Sequence, residues 1–435
     1  MELEPVYQVG QLSTTGFLIA SVIKVLIVFL VVLVTVAMLT LLERKISAWM
    51  QDRLGPNRVG PGGLAQPVAD GLKNILKEES NPGQAHRVFF VLAPMLAITP
   101  AMVTFAVIPL ASPLPTPWGL VEMVIADMPI GVLFLLAFSS LGVYGIVIAG
   151  WASSNKYALL GGLRAGAQMI SYEIALGMSL LSVLFLVGNV RLPEVVWGQQ
   201  QLGLWFAIPL SISFLFFWVS AFAETNRLPF DLPEAESELI TGYHTEYSSM
   251  KFSMFFIAEY AHVLTVSMLM ATLFLGGWDI PFWSGDNMLG MADGTVVGAA
   301  PAVWKTLLTL LAFVVKTGFF IVMFMLIRWT LPRFRYDQVM DLGWKLMLPA
   351  LLTVVTVTAG TILALDSAGV AYGLVYGLVL TAVNAVMLGI FLLVLDRGRV
   401  LSGGYARQEK RAHARAVARF HREEFEVGHG APAEG

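Results

Sequence analysis

Residues 25–42 read VLIVFLVVLVTVAMLTLL, eighteen consecutive residues without a charge. An apolar stretch of about 20 residues crosses a bilayer as a helix, so this segment predicts a transmembrane span. Similar runs follow along the chain, and one of them is interrupted by a charge, Lys316. The further runs are Val88–Val121, Met128–Asn155, Ile174–Val190, Val195–Ala223, Tyr260–Trp278, Thr306–Ile327, Leu346–Leu365 and Ser367–Leu395. The sequence therefore predicts an all-α, polytopic membrane helix bundle of about nine transmembrane helices.

The composition of the 435 residues supports this fold class. Hydrophobic residues make up 57% and charged residues 13% of the chain, whereas soluble domains carry roughly 25% charged residues. An ordinary soluble globular protein is therefore excluded. A transmembrane β-barrel is excluded as well, because its strands are about ten residues long and alternate in polarity. The chain has no cysteine, so it cannot supply the thiolates of an iron–sulfur cluster or form a disulfide.

The distribution of basic residues predicts the orientation. All but four of the 27 lysines and arginines lie after odd-numbered runs or in the C-terminal tail, and basic residues favour the cytoplasmic side. We therefore expect residues 1–400 to form a membrane domain with an outside N-terminus, and residues 401–435 to form a basic cytoplasmic tail. The acidic leader MELEPVYQ does not resemble a cleaved signal peptide. Arginines recur at every fourth position of the tail, at Arg407, Arg411, Arg415 and Arg419. This spacing would place them on one side of a helix that contacts anionic lipid or a partner. The alternative is a solvated tail.

The segment after the first run, Glu43–Glu79, predicts a shaped loop and a surface helix. Glycines and prolines between residues 55 and 63 exclude regular structure there. Pro67 then suits the first turn of a helix, with Val68, Leu72, Ile75 and Leu76 on its apolar face. We expect this amphipathic helix to lie in the membrane interface. The alternative for the whole loop is a plain surface anchor, but Arg44, Lys45, Arg53 and Arg58 beside Glu43 and Asp52 suggest paired charges around a polar group.

The segment Ala223–Tyr247 is unusually acidic for the predicted cytoplasmic side. The segment contains six carboxylates but only one arginine, Arg227. Carboxylates held close together and partly desolvated raise each other's pKa and can share protons. A solvated acidic loop is the alternative, but the apolar and aromatic flanks favour a buried or cavity-lining position. The six are Glu224, Asp231, Glu234, Glu236, Glu238 and Glu246.

Ionisable residues inside the predicted spans extend this pattern. Glu173 precedes the fourth run, Glu259 and His262 are three residues apart on one helix face, and Lys316 lies centrally in the seventh run. A charge at the centre of a membrane helix costs about 2.5–3.5 kcal/mol. Together with Glu224, these residues predict a polar, proton-conducting path from the cytoplasmic loops into the bundle.

Four long motifs occur in order along the chain and resemble one family. They are ERKxxxxxQxRxGPNxVGxxGxxQxxAD at Glu43–Asp70, GWASxNKYxLLGxLRxxAQxISYE at Gly150–Glu173, AETNRxPFDLPEAESEL at Ala223–Leu239 and LPRFRYDQ at Leu331–Gln338. The family is that of the quinone-site membrane subunits, the H-type subunits, of bacterial proton-pumping NADH–quinone oxidoreductase, which is respiratory complex I. The resemblance covers about residues 15–395.

The resemblance implies a function and a set of partners. In that family the membrane subunit forms the membrane side of a quinone chamber in the cell membrane, and quinone is a substrate rather than a cofactor of this chain. FMN and iron–sulfur clusters belong to partner subunits, so neither NADH nor a cluster binds here. The implied partners are the iron–sulfur and quinone-site subunits of the peripheral arm, small and antiporter-like subunits of the membrane arm, and membrane lipid, without nucleic acid.

Matching positions carry the family's residue roles onto this chain. The quinone-binding positions are Glu43, Arg44, Arg53, Asp70 and Lys73. The proton path is Glu173, Glu224, Glu234, Glu236, Glu238, Glu246 and Glu259. The contact with the peripheral arm is Arg328, Arg333 and Asp337. No metal-ligating set and no catalytic residue of the chain's own are expected.

Two other functions remain open from the residues alone. The membrane anchor of an energy-converting hydrogenase belongs to the same lineage, although the long first loop and the acidic segment favour the quinone enzyme. A stand-alone ion transporter would also explain intramembrane charges. Such a transporter is typically built from internal repeats with broken helices in matching halves, and the sequence contains no recognisable repeat.

Overall fold

The computed structural model describes residues 6–291 and 293–396, without the side chains of residues 236–237 and 394–396. Within this range, eight helices are long and apolar enough to cross a membrane, and a ninth apolar helix, Ser211–Glu224, is shorter. The predicted all-α polytopic bundle of about nine helices is therefore confirmed. Residues up to Thr381 form one compact unit, and a second unit begins at Ala382 within the last helix. The expected tail, residues 401–435, lies outside the described residues.

The helices follow one another along the chain, and short strands lie in some of the connections between them. In chain order the helices are α1 (Thr14–Met50), α2 (Gln66–Leu76), α3 (Arg87–Val103), α4 (Gly131–Ala152), α5 (Lys156–Val187), α6 (Leu192–Leu202), α7 (Ser211–Glu224), α8 (Glu236–Leu239), α9 (Ser249–Phe274), α10 (Val303–Thr330), α11 (Tyr336–Asp341), α12 (Leu348–Ser367) and α13 (Leu374–Asp396). A π-helical segment, Leu342–Met347, joins α11 to α12. Helix α1 has 37 residues, which corresponds to about 55 Å at 1.5 Å per residue.

Five short strands lie at one end of the bundle. They are β1 (Val6–Gln8), β2 (Leu114–Thr116), β3 (Gly119–Val121), β4 (Met288–Gly290) and β5 (Thr295–Gly298). Strand β5 pairs antiparallel with both β1 and β4, and β2 forms a hairpin with β3. We call this end the sheet side. The opposite end, which carries α2 and residues 225–248, is the loop side.

Two of the predicted runs contain more than a helix. The run Val195–Ala223 is divided between α6 and α7, because Gly203 ends α6 in a left-handed conformation with φ of 71° and the segment to Leu210 has no regular helix. The run Val88–Val121 continues past α3 into the β2–β3 hairpin. In both places the chain stays apolar while its backbone changes conformation, so a search for uncharged runs cannot detect the boundary.

The first loop on the loop side has the compact shape that its glycines and prolines predict. Gly63 has a φ of +84°, and a Cβ there would lie 2.0 Å from the carbonyl oxygen of Pro56. Only glycine allows this close approach of two backbone segments. Pro67 lies in the first turn of α2, as expected. The apolar side chains of α2, such as Val68 and Leu76, are exposed in this chain, and their location in the membrane interface stays a prediction.

Candidate functional site

The carboxylate of Glu43 lies at the centre of a charged cluster near the loop-side end of α1. It is 5% exposed and accepts hydrogen bonds from Arg227 Nη1 at 2.8 Å, Tyr260 Oη at 2.8 Å and Arg328 Nη1. These donors come from the acidic segment, α9 and α10. Hydrogen bonds between ionised partners are roughly twice as strong as neutral ones. The cluster therefore fixes four separate parts of the chain around one buried negative charge.

Arg227 joins this cluster to a second carboxylate. Its Nε lies 2.6 Å from Oε1 of Glu259, and its Cζ lies 4.3 Å from the ring centroid of Tyr260. A guanidinium group is planar and presents donors on two edges, so it can pair with two carboxylates at once. Sequence reasoning noted Arg227 as the single base in an acidic segment but gave it no role. Its role could have been predicted from its position as the single base among several carboxylates, because buried carboxylates require a cation nearby.

A cavity of about 620 Å³ opens beside Glu43 on the loop side. Three of the predicted quinone-binding residues, Glu43, Arg44 and Arg53, line it. Arg44 Nη1 donates to Asp70 Oδ2 at 2.6 Å. Asp70 therefore positions Arg44 without lining the cavity itself. Lys73 is exposed on α2 and is not among the lining residues. The remaining lining residues are Ser47, Leu54, Gly55, Pro56, Phe256, Tyr260, Arg328 and Trp329.

Tyr260 and Arg328 were not predicted for this cavity. Tyr260 is the residue after Glu259, and its hydroxyl reaches Glu43 on a helix that is distant in sequence. Arg328 was assigned to a partner contact, but it pairs with Glu43 and is partly exposed to the cavity. The volume lies within the range of about 300–1,000 Å³ that is typical of small-molecule sites.

Smaller cavities also lie inside the bundle. One of about 30 Å³ is lined by Glu224, Glu234, Glu259 and His262, and one of about 10 Å³ by Glu224 and His262 with Ser139. Another of about 10 Å³ lies beside Glu43, Arg227 and Tyr260. A water molecule needs roughly 10–15 Å³ of such space. The predicted acids Glu224, Glu234 and Glu259 therefore share spaces of one to a few waters.

Serines of α4 donate hydrogen bonds to two of the predicted acids. Ser139 Oγ donates to Glu224 Oε1, and Ser140 Oγ donates to Glu173 Oε1. Glu173 lies in the middle of α5, not at the start of a helix as the uncharged run suggested, because α5 begins earlier, at Lys156. Adjacent serines on one helix thus bring Glu173 next to Glu224 across two helix interfaces.

Other predicted acids do not join these cavities. Glu238 is 51% exposed and pairs with Arg164 at 2.6 Å, and Glu246 accepts a hydrogen bond from Asn155 at 2.8 Å. The side chain of Glu236 is outside the described residues. Lys316 was expected in the same path. It lies midway along α10 and lines none of these cavities, and its Nζ donates to the carbonyl oxygens of Leu275, Gly277 and Asp279, just beyond the end of α9.

The acidic segment is packed against the bundle rather than solvated. Asp231 is buried and accepts a hydrogen bond from Arg333 Nη2 at 2.6 Å. Burial and the nearby charge of Glu234 raise the pKa of Asp231 to about 7, although Arg333 opposes the shift. Gly242 has a φ of +63°, and a Cβ there would lie 1.7 Å from the carbonyl oxygen of Pro233. The segment therefore folds back tightly on itself.

Glu234 and His244 form a pair inside this segment, with 3.1 Å between Oε1 and Nε2. Burial lowers the pKa of His244, but the hydrogen bond and charge of Glu234 outweigh it, so the pKa rises above 6.5. Burial raises the pKa of Glu234, but His244 outweighs it, and the pKa falls below 4.5. Each partner thus favours the charged form of the other.

We expect the stability of residues 225–248 to depend on pH through this pair. The contribution of His244 is fully present below pH 6.5 and is lost as the pH rises through its raised pKa. The contribution of Glu234 is present above pH 4.5 and is lost as the pH falls through its lowered pKa. The measurement that checks this is the exchange rate of the backbone amides in the segment, corrected for the intrinsic pH dependence of exchange. The rate should be lowest between pH 4.5 and pH 6.5. At higher pH it should rise by about tenfold for each unit by which folding raises the pKa of His244. His244→Gln should remove the acceleration at high pH, and an unchanged profile in this variant would contradict the assignment.

The three residues expected at a partner contact have different surroundings. Arg328 pairs with Glu43 and Arg333 with Asp231, while Asp337 is exposed in the first turn of α11. Two of the three therefore have roles within this chain. A partner contact at Arg333 and Asp337 stays a prediction. No group of three or more histidine, aspartate or glutamate side chains that could hold a metal ion occurs among the described residues.

The chain is similar to a defined set of proteins. The profile of the NADH dehydrogenase family matches residues 23–359. An H-type NADH-quinone oxidoreductase subunit of Cytophaga hutchinsonii is 46% identical over 347 residues, covering 80% of this chain and 98% of that protein. The H-type subunit of Magnetococcus marinus is 45% identical over 78% of this chain and 90% of its own length. NADH-ubiquinone oxidoreductase chain 1 of Chondrus crispus is 46% identical over 80% of this chain and 99% of its own length.

Proposed function

The chain belongs to the NADH dehydrogenase family, and on that premise we propose that it binds the quinone of an NADH-quinone oxidoreductase and couples quinone reduction to proton translocation. It is a multi-pass membrane subunit of this enzyme class. We infer that it lies in the cell membrane with its loop side in the cytoplasm. The single observation that carries the proposal is the bridge of Arg227 between Glu43 at the cavity and Glu259 at the inner acids.

The cavity beside Glu43 has the chemistry that a quinone headgroup requires. Quinone carbonyl oxygens accept hydrogen bonds, and Arg44, Arg53 and Arg328, which line the cavity, can supply donors. Phe256, Leu54 and Trp329 supply apolar surface for the ring and the first part of its tail. Arginine also stabilises the negative charge that develops when electrons arrive before protons. We propose that the electrons come from an iron–sulfur cluster in a partner subunit; this chain has no cysteine with which to ligate one.

Coupling follows from competition for the arginines. Glu43 is held by Arg227, Arg328 and Tyr260. A reduced quinone beside Arg328 carries negative charge and attracts the same guanidinium groups. Glu259, which depends on Arg227 for its ion pair, then becomes less stable as an anion and takes up a proton. Protons pass from Glu259 through the small cavities to His262 and Glu224, and onward to Glu173 by way of Ser139 and Ser140.

The remaining partners follow from this assignment. We propose that the loop side, with Arg333 and Asp337 at its surface, contacts the peripheral arm that carries FMN and the iron–sulfur clusters. The inner acids lead toward small and antiporter-like membrane subunits, which complete the proton path. An energy-converting hydrogenase anchor would share the acids but would not need the quinone cavity, so quinone binding separates the two.

The quinone assignment is tested with Arg53→Ala in the assembled complex. Arg53 lines the cavity, whereas Arg58 in the same loop is exposed and is not among the lining residues. Loss of a hydrogen bond to a charged donor costs about 1.5–3 kcal/mol, so we expect the KM for quinone and the half-inhibitory concentration of a quinone-site inhibitor to rise about tenfold or more. Arg58→Ala should leave both values unchanged. Equal behaviour of the two variants would place the headgroup elsewhere.

A further inference from the structure

A second large cavity, of about 940 Å³, lies between the first half of α1 and the rest of the bundle. Helix α1 forms one wall with Ile19, Ile23 and Ile27, and α9 and α10 form the opposite wall. The β2–β3 hairpin and residues 123–125 close its sheet-side end. We call this cavity the α1 groove. It contains neither Glu43 nor the acids of the proposed proton path.

Hydrogen bonds at the sheet-side end of α1 keep the α1 groove open. Lys24 Nζ donates to the carbonyl oxygens of Glu122 at 3.2 Å and Val124 at 2.7 Å. The backbone N–H of Leu120 donates to Gly10 at 3.3 Å, just before α1 begins. These bonds fix α1 at a distance from α9 and α10, so Ile19, Ile23 and Ile27 remain 61%, 49% and 56% exposed although they face the bundle. An unfilled space would forfeit the dispersion contacts of its walls.

The lining selects a flexible apolar occupant. Two of the three N–H groups of the Lys24 ammonium already donate to backbone carbonyls, so the middle of the groove has at most one N–H left for a polar ligand. Helix–helix contacts in membranes are rich in small residues that let backbones approach. The α1 groove is instead walled mainly by branched aliphatic side chains such as Ile23, Ile27 and Val31. Such walls fit a hydrocarbon chain better than a partner helix.

The size and the rim of the groove agree with a lipid. At about 30 Å³ for each methylene-sized group, the volume of one water in the liquid, 940 Å³ accommodates about 30 such groups. The paired acyl chains of one phospholipid contain a similar number. Trp118, which lines the sheet-side end, is 80% exposed, and tryptophan is enriched at the level of lipid headgroups.

We propose that the α1 groove binds the acyl chains of a membrane phospholipid. The lipid completes the packing between α1 and the bundle, and α1 carries Glu43 toward its other end. The bound lipid therefore stabilises the position of the helix on which the charged cluster depends. This inference stands independently of whether the cavity beside Glu43 binds a quinone.

Two matched glycine substitutions test the proposal in the assembled complex. Gly318 lines the groove and Gly360 does not, and a Cβ at either position would meet nothing within 4 Å. The complex is reconstituted with phosphatidylcholine carrying a diazirine on one acyl chain, irradiated and digested, and lipid adducts on peptides of α1 are quantified. We expect Gly318→Leu to lower these adducts about twofold or more, because its four added carbon atoms occupy part of the groove beside α1. Gly360→Leu should match the unsubstituted chain, since both changes alter helix propensity equally.

A second arm keeps the test decisive if Gly318→Leu does not assemble. p-Benzoylphenylalanine in place of Ile23 should cross-link to phospholipid when the complex is irradiated in membranes. A cross-link to another polypeptide would assign the groove to a partner helix and overturn the proposal. Labelling of α1 by a quinone with a photoreactive prenyl tail, or undiminished adducts in Gly318→Leu, would overturn it as well.

Discussion

Arg227→Met is expected to destabilise the complex and to abolish most of its quinone reductase activity. The side chain of Arg227 is buried between Glu43 and Glu259. Removing one partner of a buried ion pair costs about 3–5 kcal/mol, because the other charge is left uncompensated. Glu43 keeps Arg328 and Tyr260, whereas Glu259 loses its ion pair. We therefore expect a much shorter half-life of heat inactivation in the purified complex and a fall in turnover of about a hundredfold or more.

Two further variants separate the charge from its geometry. Arg227→Lys keeps the positive charge, but one ammonium cannot reproduce the two-edged contact with both carboxylates, so the variant should be intermediate. Combining Arg227→Met with Glu259→Gln removes the uncompensated charge and should restore thermal stability without restoring coupled proton translocation. Wild-type stability and turnover in Arg227→Met alone would remove Arg227 from the centre of the proposed mechanism.

Glu224→Gln should uncouple or stop proton translocation while the complex still assembles. Glutamine has the size of glutamate and can still accept the hydrogen bond from Ser139, but it cannot carry a proton between the cavities that Glu224 lines. Loss of a group that transfers protons typically costs 10²–10⁴-fold. We expect proton uptake into proteoliposomes, measured per NADH oxidised, to fall at least about tenfold.

Glu238→Gln is the matched control for this experiment. Sequence analysis placed Glu238 in the same proton path, but the side chain is 51% exposed and pairs with Arg164 at the surface. An exposed ion pair contributes about 0–1 kcal/mol, so the control should stay within about twofold of the unsubstituted complex. Equal losses in both variants would show that burial does not distinguish the two acids and would contradict the path through the cavities.

The sequence predicts the fold class well because each span is a local property. An uncharged run of 18 residues, such as Val25–Leu42, carries its own signal. The boundaries are less predictable, since the apolar character continues where the backbone turns at Gly203 and at the β2–β3 hairpin. The start of α5 is misjudged for the opposite reason: the helix begins at Lys156 and includes charged residues, so Glu173 lies in its middle although the uncharged run begins only after it.

The candidate site could be predicted only in part. The acids stand out in the sequence; Glu224 and Glu259 line one small cavity, and Glu43 lines another. Their cations do not stand out in the same way, because Arg227 and Arg328 reach Glu43 from segments 184 and 285 residues away. Lys316 looks equivalent to these acids among the intramembrane charges, yet α10 holds it against the carbonyl groups that follow α9 rather than beside the acids. Which charged side chains pair with one another depends on the orientation and tilt of each helix, and the local sequence of a single span does not determine these.

The wide sequence separation around Glu43 has a consequence for biosynthesis. Translation proceeds from the N-terminus, so α1 is inserted long before Tyr260 and Arg328 are made, 217 and 285 residues later. Until Arg227 is made, 184 residues after Glu43, the carboxylate must remain near water or bound to a temporary partner, since its desolvation without a cation is costly. A nascent chain truncated before Arg227 would lack all three donors that hold this carboxylate, so the charge would stay unpaired at the loop-side end of α1.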